Sequence, residues 1–151
     1  MMGRDIARVM VALLLVAVVA CSAPESGRRI IATDQAPAAI GPYSQAIEVG
    51  TTLYLAGQIG LDPATGRLVA GGIEPETRQV MANLQAVLAG AGYDLADVVQ
   101  AQVYLADLAE YDTFNAIYAG YFSGDPPARA VVEAQRLPRN AAVEILAVAV
   151  R

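Results

Sequence analysis

Glu144 is the polar residue whose position most strongly suggests chemistry. It lies within the apolar stretch 142–148, and in a strand its side chain shares one side with Leu146, Val148 and Val150. A carboxylate among apolar side chains loses hydration, which raises its pKa and suits it to proton transfer. The alternative is a glutamate at a strand end that pairs with an arginine at a subunit contact.

Arg129 is a second candidate because the chain before it is stiff. It follows Pro126, Pro127 and Ala128, and we expect it immediately before a strand, so its guanidinium would be held in place. A fixed guanidinium matches the two oxygens of a carboxylate ligand. For an arginine considered alone, a structural ion pair with Asp or Glu is the simpler explanation.

Tyr43 and Asn115 are weaker candidates. Tyr43 follows Gly41-Pro42, a rigid turn from which its hydroxyl could donate to a ligand or its ring could stack, although packing is the usual role of such a ring. Asn115 lies in the middle of a predicted helix, where asparagine is a poor helix former. It could brace a loop or the site, or it could face solvent.

The composition excludes several classes of catalytic site. The chain has no His, all ten basic residues are Arg, and Cys21 is the only thiol. Without His there is no Ser-His-Asp or Cys-His catalysis and none of the usual zinc sites. Without Lys there is no side-chain Schiff base and no P-loop. Carboxylate, guanidinium, amide and hydroxyl chemistry remain.

The first 20 residues are predicted to be an export signal. Arg4 and Arg8 precede the apolar run 9–20, which is shorter than the roughly 20 residues needed to span a bilayer and typical of a signal sequence. The segment VVAC that ends at Cys21 resembles the bacterial lipobox, in which the cysteine is acylated and becomes the new N-terminus. The alternative is a buried helix with a chance cysteine.

This interpretation divides the chain into a signal peptide (1–20), a lipidated tether (21–29) and one domain (30–151). The protein would be exported and anchored on the periplasmic side of a bacterial envelope, and Ser22 after the cysteine favours the outer membrane. Without the signal the chain has eight basic against fourteen acidic residues, a net charge of −6. Because this charge repels phosphate, nucleic acid is a poor partner.

The domain alternates between strand and helix patterns in the order β-β-β-β-α-β-α-β-β. Strands are expected at 30–31, 46–49, 53–56, 58–61, 100–105, 130–133 and 142–150, with 67–69 completing a hairpin to 58–61 around the turn 62–66. Helices are expected at 74–91 and from 107 to about 122. The order indicates an α+β fold in which two helices cover one face of a sheet.

Five segments together resemble the RidA (YjgF) family of reactive imine and enamine deaminases. They are APAAIGPYSQA (36–46), LAGQIGLDPATG (55–66), YDTFNAIYAGYF (111–122), PPARAVVEA (126–134) and VEILAVAVR (143–151). The resemblance implies a chorismate-mutase-like α+β fold, with a mixed sheet covered on one face by two helices. It also implies a homotrimer whose active sites lie in clefts between subunits.

The resemblance also implies roles for the candidate residues. Arg129 would bind the substrate carboxylate, and Glu144 would position and activate the hydrolytic water. Tyr43 would be a third catalytic residue. Tyr43 and Asn115 would line or brace the cleft, with Gly57 and Gln58 beside it, and all four would contact the substrate. The reaction would convert 2-imino acids such as 2-iminopropanoate and 2-iminobutanoate, or their enamines, to 2-oxo acids and ammonia, with no cofactor and no metal.

Two positions depart from the family pattern. Ala56 stands where members often carry Ser or Thr, and Val131 stands where many carry Cys, so a changed substrate preference is expected. The alternative functions are a non-catalytic module that binds a small carboxylate ligand in the same cleft, a holdase-like envelope lipoprotein, and an RNA-cleaving protein, which the acidic charge disfavours.

Overall fold

The structure is a computed structural model that describes residues 27–151. Its strands are β1 (Arg28–Ile31), β2 (Ala46–Val49), β3 (Thr52–Ile59), β4 (Val98–Leu105), β5 (Ala128–Glu133) and β6 (Val143–Val150), and its helices are α1 (Ile73–Ala91) and α2 (Tyr111–Ala119). The predicted signal peptide and Cys21 lie outside the described residues. No helix of the described part is long and apolar enough to cross a membrane.

The six strands form a single sheet in the order β1-β2-β3-β6-β4-β5. Neighbouring strands are antiparallel except β4 and β5, which are parallel because α2 carries the chain back between them. Both helices pack on the same core cluster against one face of the sheet. The predicted α+β fold with two helices on one sheet face is therefore confirmed.

The alternation of side chains along β6 defines the two faces of the sheet. Val143, Ile145 and Ala147 are buried under the helices, whereas Glu144 and Leu146 point to the opposite, uncovered face. From the helix side, α1 contributes the apolar stripe that its sequence predicts, namely Val80, Leu84, Val87 and Leu88. Glu144 therefore lies on the face that the helices leave open.

The prediction of separate strands at 53–56 and 58–61 was wrong. The first segment and residues 58–59 of the second belong to one strand, β3, which pairs with β6 and contains a bulge between Leu55 and Gln58, whereas residues 60–61 lie beyond its end. The bulge adds one residue without breaking the strand, because pairing with β6 resumes beyond it. The predicted hairpin partner at 67–69 contributes only one bridge, between Leu61 and Leu68.

Several predicted boundaries also shift. β5 begins at Ala128, so Arg129 lies inside a strand rather than before one. β1 begins at Arg28, so the last two residues of the predicted tether belong to the sheet. α2 is shorter than predicted because residues 108–110 form a 3-10 turn, capped by the Asp107 side chain, which accepts from the Ala109 N–H at 2.8 Å.

The uncovered face carries an apolar row across four strands. Ile30, Ile47, Tyr54 and Val148 are register partners on β1, β2, β3 and β6. Ile30 is 63% exposed and Tyr54 is 52% exposed. An apolar surface of this kind is typical of a face that contacts another protein chain.

Candidate active site

The Glu144 side chain lines a cavity of about 240 Å³ on the uncovered side of the sheet. The cavity lies between β3, β6 and the loop that precedes β2. Three further residues predicted for the site, Tyr43, Gly57 and Gln58, line the same cavity. The rest of its lining is mainly apolar, with Ile40 and Pro138 among its members. The structure thus brings four of the predicted residues together.

The β3 bulge provides the space for the Glu144 carboxylate. Pairing of Leu55 with Ala147 and of Gln58 with Ile145 leaves Ala56 and Gly57 together opposite Leu146. A Cβ atom at position 57 would overlap Glu144, lying 3.0 Å from its Cδ and closer still to Oε1. A larger residue at position 57 would therefore force the Glu144 carboxylate out of its present position, so glycine is favoured here for steric reasons rather than for backbone conformation.

The Glu144 carboxylate is poorly solvated and has no partner in the described part of the chain. No side-chain hydrogen bond or ion pair reaches it there, and a small apolar cluster that includes Ile59 and Tyr104, its register partners, lies beside it. Burial raises the pKa of Glu144 above its ordinary value. A carboxyl group with a raised pKa keeps its proton to higher pH than a hydrated carboxyl group does, which suits it to both accepting and returning a proton.

Tyr43 lies on the loop before β2, and its side chain hydrogen-bonds to the backbone of the same loop. Its hydroxyl oxygen accepts from the Ile40 N–H at 3.1 Å, which leaves the phenolic proton free to be donated. The base of this loop is held by Gln45, whose side-chain NH₂ donates to the carbonyls of Thr33 and Pro37. The buried Gln45 was missed in the sequence, although its place directly before a strand in the segment GPYSQA was a usable signal.

Arg129 and Asn115 form a second group on the helix side of the sheet. The Arg129 Nη2 donates to the Asn115 Oδ1 at 2.7 Å, and its Cζ lies 4.8 Å from the centre of the Tyr118 ring and 5.5 Å from that of Phe114. Stacking on aromatic faces suits a guanidinium. In the described residues Arg129 has no ion pair, so most of its N–H donors remain available to a ligand.

The two groups do not meet within one chain. Arg129 is the register partner of Ala101, which is buried under the helices, whereas Glu144 is the partner of Tyr104 on the other face. β4 separates the two strands, and Arg129 lines cavities different from that of Glu144. The two charged residues therefore serve a common ligand only if two chains contribute them.

The two residues that depart from the family pattern, Ala56 and Val131, lie in different places, one beside Glu144 and the other beside Arg129. Ala56 lines the Glu144 cavity, and Val131 lies beside Arg129 on the helix side of β5. Neither adds a polar side chain, so both groups are more apolar than the family pattern implies. Among the described residues, no cluster of three potential metal ligands occurs.

Comparison with known proteins identifies the family. A family model described as endoribonuclease L-PSP matches residues 33–151. The 2-iminobutanoate/2-iminopropanoate deaminase of Mus musculus is 50% identical over 124 residues, covering 82% of this chain and 92% of that protein. The chain belongs to the RidA (YjgF) family.

Solved structures, among them one of a RidA protein, show the same architecture. RidA from the Antarctic bacterium Psychrobacter has a TM-score of 0.80 and 41% identity, covering 82% of this chain and 99% of that one. Escherichia coli TdcF with bound serine has a TM-score of 0.79 and 35% identity, covering 82% and 98%. The family and fold predicted from the five sequence segments are therefore confirmed.

The raised pKa of Glu144 predicts how this RidA-family domain responds to pH. At pH values between the ordinary glutamate pKa of 4.5 and the higher pKa of Glu144 in the folded state, the native state binds more protons than the unfolded state. The free energy of unfolding therefore falls as pH rises through this range. Glu144→Gln removes the titrating carboxyl and therefore this loss of stability. We expect equal free energies of unfolding at acidic pH and a more stable variant at neutral pH.

Urea unfolding of both proteins across this pH range, at one protein concentration, measures the difference. The acidic end of the series is the internal control, since Glu144 is neutral in both states there. A wild type that gains stability relative to Glu144→Gln as pH rises would contradict the assignment of a desolvated carboxyl.

Proposed function

We propose that this protein hydrolyses reactive 2-imino acids, such as 2-iminobutanoate and 2-iminopropanoate, or their enamine tautomers, to 2-oxo acids and ammonia. The observation that carries the proposal is that Arg129 and Glu144 are both half-buried, and neither has a partner of opposite charge in the described residues. The similarity to the mouse 2-iminobutanoate/2-iminopropanoate deaminase supports the same reaction.

Arg129 supplies the recognition of the substrate carboxylate. Its guanidinium is oriented by Asn115 and by the Tyr118 ring, so little side-chain freedom is lost when an anion binds. Its remaining N–H groups match two carboxylate oxygens. The bound serine in E. coli TdcF supports a family site that accepts small molecules with a carboxylate.

Glu144 carries the proton transfers. The substrate reacts as the protonated imine. The Glu144 carboxylate takes a proton from water as the water oxygen attacks the carbon of the C=N bond, and the nitrogen becomes a neutral amine. The protonated Glu144 gives that proton to the amine, the C–N bond breaks with release of ammonia, and the Glu144 carboxylate takes the hydroxyl proton as the carbonyl forms; this proton then leaves with ammonia as ammonium. The raised pKa suits both steps, and the free phenolic proton of Tyr43 can hydrogen-bond the substrate.

The complete site lies between two subunits of a homotrimer in this proposal. Arg129 and Glu144 are on opposite faces of one sheet, so a neighbouring chain has to supply one of them. The exposed apolar row that includes Ile30 and Tyr54 supports a subunit contact on the uncovered face. A closed ring of identical contacts would form three equivalent sites.

An assay that generates the imine tests the reaction directly. An amino-acid oxidase produces the imine in place, and release of the 2-oxo acid is compared with the uncatalysed rate. Glu144→Gln should lower kcat by on the order of 10²-fold or more, because it removes the acid–base group. Arg129→Ala should chiefly raise KM.

The matched control is Arg136→Ala, which removes an exposed arginine outside the cavities described above and should leave both constants unchanged. No acceleration by the wild type, or an Arg129→Ala variant equal to wild type, would refute the deaminase. Tight binding of 2-oxo acids without turnover would instead support the non-catalytic binding module.

Mixed trimers test whether two chains build each site. At a substrate concentration far below the raised KM of the Arg129→Ala variant, subunits carrying Arg129→Ala and subunits carrying Glu144→Gln should each be nearly inactive alone. After equal mixing by co-refolding, random assortment leaves about one quarter of the sites with both residues intact, so about that share of wild-type activity should return.

The control mixes Arg129→Ala subunits with subunits that carry both substitutions, where no intact site can form. Activity that stays at the level of the single variants in the first mixture would place the whole site within one chain and contradict the shared cleft.

We also propose that the protein is exported and lipid-anchored through Cys21. The support is the order of the sequence features, with Arg4 and Arg8 before the apolar run 9–20 and then the cysteine. Cys21→Ser should abolish incorporation of a palmitate analogue and the effect of globomycin on processing, whereas Ser22→Ala should retain both. Labelling of the Cys21→Ser protein would contradict the anchor.

A further inference from the structure

Glu76 is a buried carboxylate that the proposed reaction does not use. It lies in the first turn of α1, on the helix side of the sheet, and only 4% of its surface is exposed. Its Oε2 accepts a hydrogen bond from the Ala142 N–H at 2.7 Å. No cation pairs with it among the described residues, so its only recorded partner is a backbone amide.

The amide that donates to Glu76 belongs to Ala142, the residue directly before β6. The carbonyl of Ala142 in turn accepts from the Ala106 N–H at 2.9 Å, so both backbone polar groups of Ala142 are held. Glu144 follows two residues later in the extended strand. The position of Ala142 therefore determines where the Glu144 side chain leaves the backbone.

The turn before Ala142 needs such support. Arg139 and Asn140 have φ values of 61° and 57°, a left-handed conformation that residues with a Cβ atom rarely adopt. Strained backbone of this kind persists only where the surrounding structure holds it. Pro138 in the same turn lines the Glu144 cavity, so the turn shapes the candidate site.

Glu76 also packs against the end of β3. A Cβ atom at Gly60 would lie 2.9 Å from the Glu76 Cα and 3.0 Å from its Cβ and Cγ, so only glycine allows this approach. Gly60 follows Ile59, the register partner of Glu144. Glu76 thus contacts both the end of β3 and the start of β6, the two strands that form the Glu144 cavity.

We propose that Glu76 is a positioning residue that holds the Ala142 N–H and thereby places the Glu144 carboxylate against Gly57. The role needs a hydrogen-bond acceptor rather than a negative charge, because the neutral side-chain carbonyl of glutamine can accept from the same amide. Burial raises the pKa of Glu76, which agrees with a role that does not require ionisation. The kinetic part of its test rests on the proposed deaminase function.

Two substitutions at this position separate the acceptor from the charge. Glu76→Gln keeps the acceptor and should retain near-wild-type kinetics. Glu76→Leu keeps the bulk and removes the acceptor, and it should lower kcat by about tenfold or more with little change in KM, because the acid–base group shifts while Arg129 does not. The matched control is Leu88→Ala, which weakens the far end of α1 and should change stability without this loss of kcat.

A measurement without turnover tests the same placement. Carbon-13 NMR of glutamate-labelled protein, with the Glu144 signal assigned by its loss in Glu144→Gln, follows the titration of that carboxyl. Its raised pKa should persist in Glu76→Gln and move toward the ordinary value in Glu76→Leu, as the carboxylate leaves its desolvated place. If the leucine variant does not fold, Gly60→Ala displaces Glu76 without altering its chemistry and should produce the same change.

The outcomes separate the two proposals. A wild type without imine hydrolysis refutes the deaminase, and the NMR titration alone then decides the role of Glu76. A Glu144 pKa that is unchanged in Glu76→Leu or in the folded Gly60→Ala variant overturns the positioning role. The positioning role is also overturned if Glu76→Gln loses as much kcat as Glu76→Leu, or if the Leu88→Ala control shows the same loss of kcat.

Discussion

The Glu144 carboxylate occupies the space where any residue other than glycine at position 57 would have its Cβ atom. This close approach depends on the β3 bulge, which places Ala56 and Gly57 together opposite Leu146 while the rest of β3 stays paired with β6. A bulge is a common way to redirect a side chain beside a site without losing the sheet. The cavity, the desolvation of the carboxyl and the loop that carries Tyr43 are all arranged around this contact.

The sheet separates the two charges that the proposed reaction needs. Side chains alternate between faces, so Arg129 points toward the helices and Glu144 points away from them. Each charge is left without a partner of opposite sign in the described residues. In the proposed function a single subunit therefore carries two half-sites, and the exposed apolar row on the uncovered face is where we propose that neighbouring subunits meet.

Buried polar side chains hold the segments that shape the Glu144 cavity. Gln45 holds the base of the Tyr43 loop, Asn83 donates to the carbonyls of Ile59 and Leu61, and Glu76 accepts from Ala142. Burying such groups is unfavourable unless they are hydrogen-bonded, and here each bonds to backbone in a loop or at the end of a strand. These hydrogen bonds fix the position of the loops and strand ends around the cavity, because they are directional and apolar packing is not.

The sequence alone determined the features that depend on local periodicity and on residue type. The apolar stripe of α1, the α+β order and the absence of His and Lys chemistry were all readable, and the five segments identified the RidA family. Glu144 and Arg129 were identifiable because a carboxylate in an apolar strand and an arginine after two prolines are unusual in themselves. These features need no information about distant parts of the chain.

Only the tertiary structure decided how the strands pair and which residues meet. The bulge that joins the two predicted strands into β3 exists because β6 pairs on both sides of it, and β6 is about 90 residues away in sequence. The roles of Glu76 and of Gly57 follow from contacts with Ala142 and Glu144, which no local pattern records. The placement of Arg129 and Glu144 on opposite faces likewise depends on strand register, because a shift of one residue would exchange the faces.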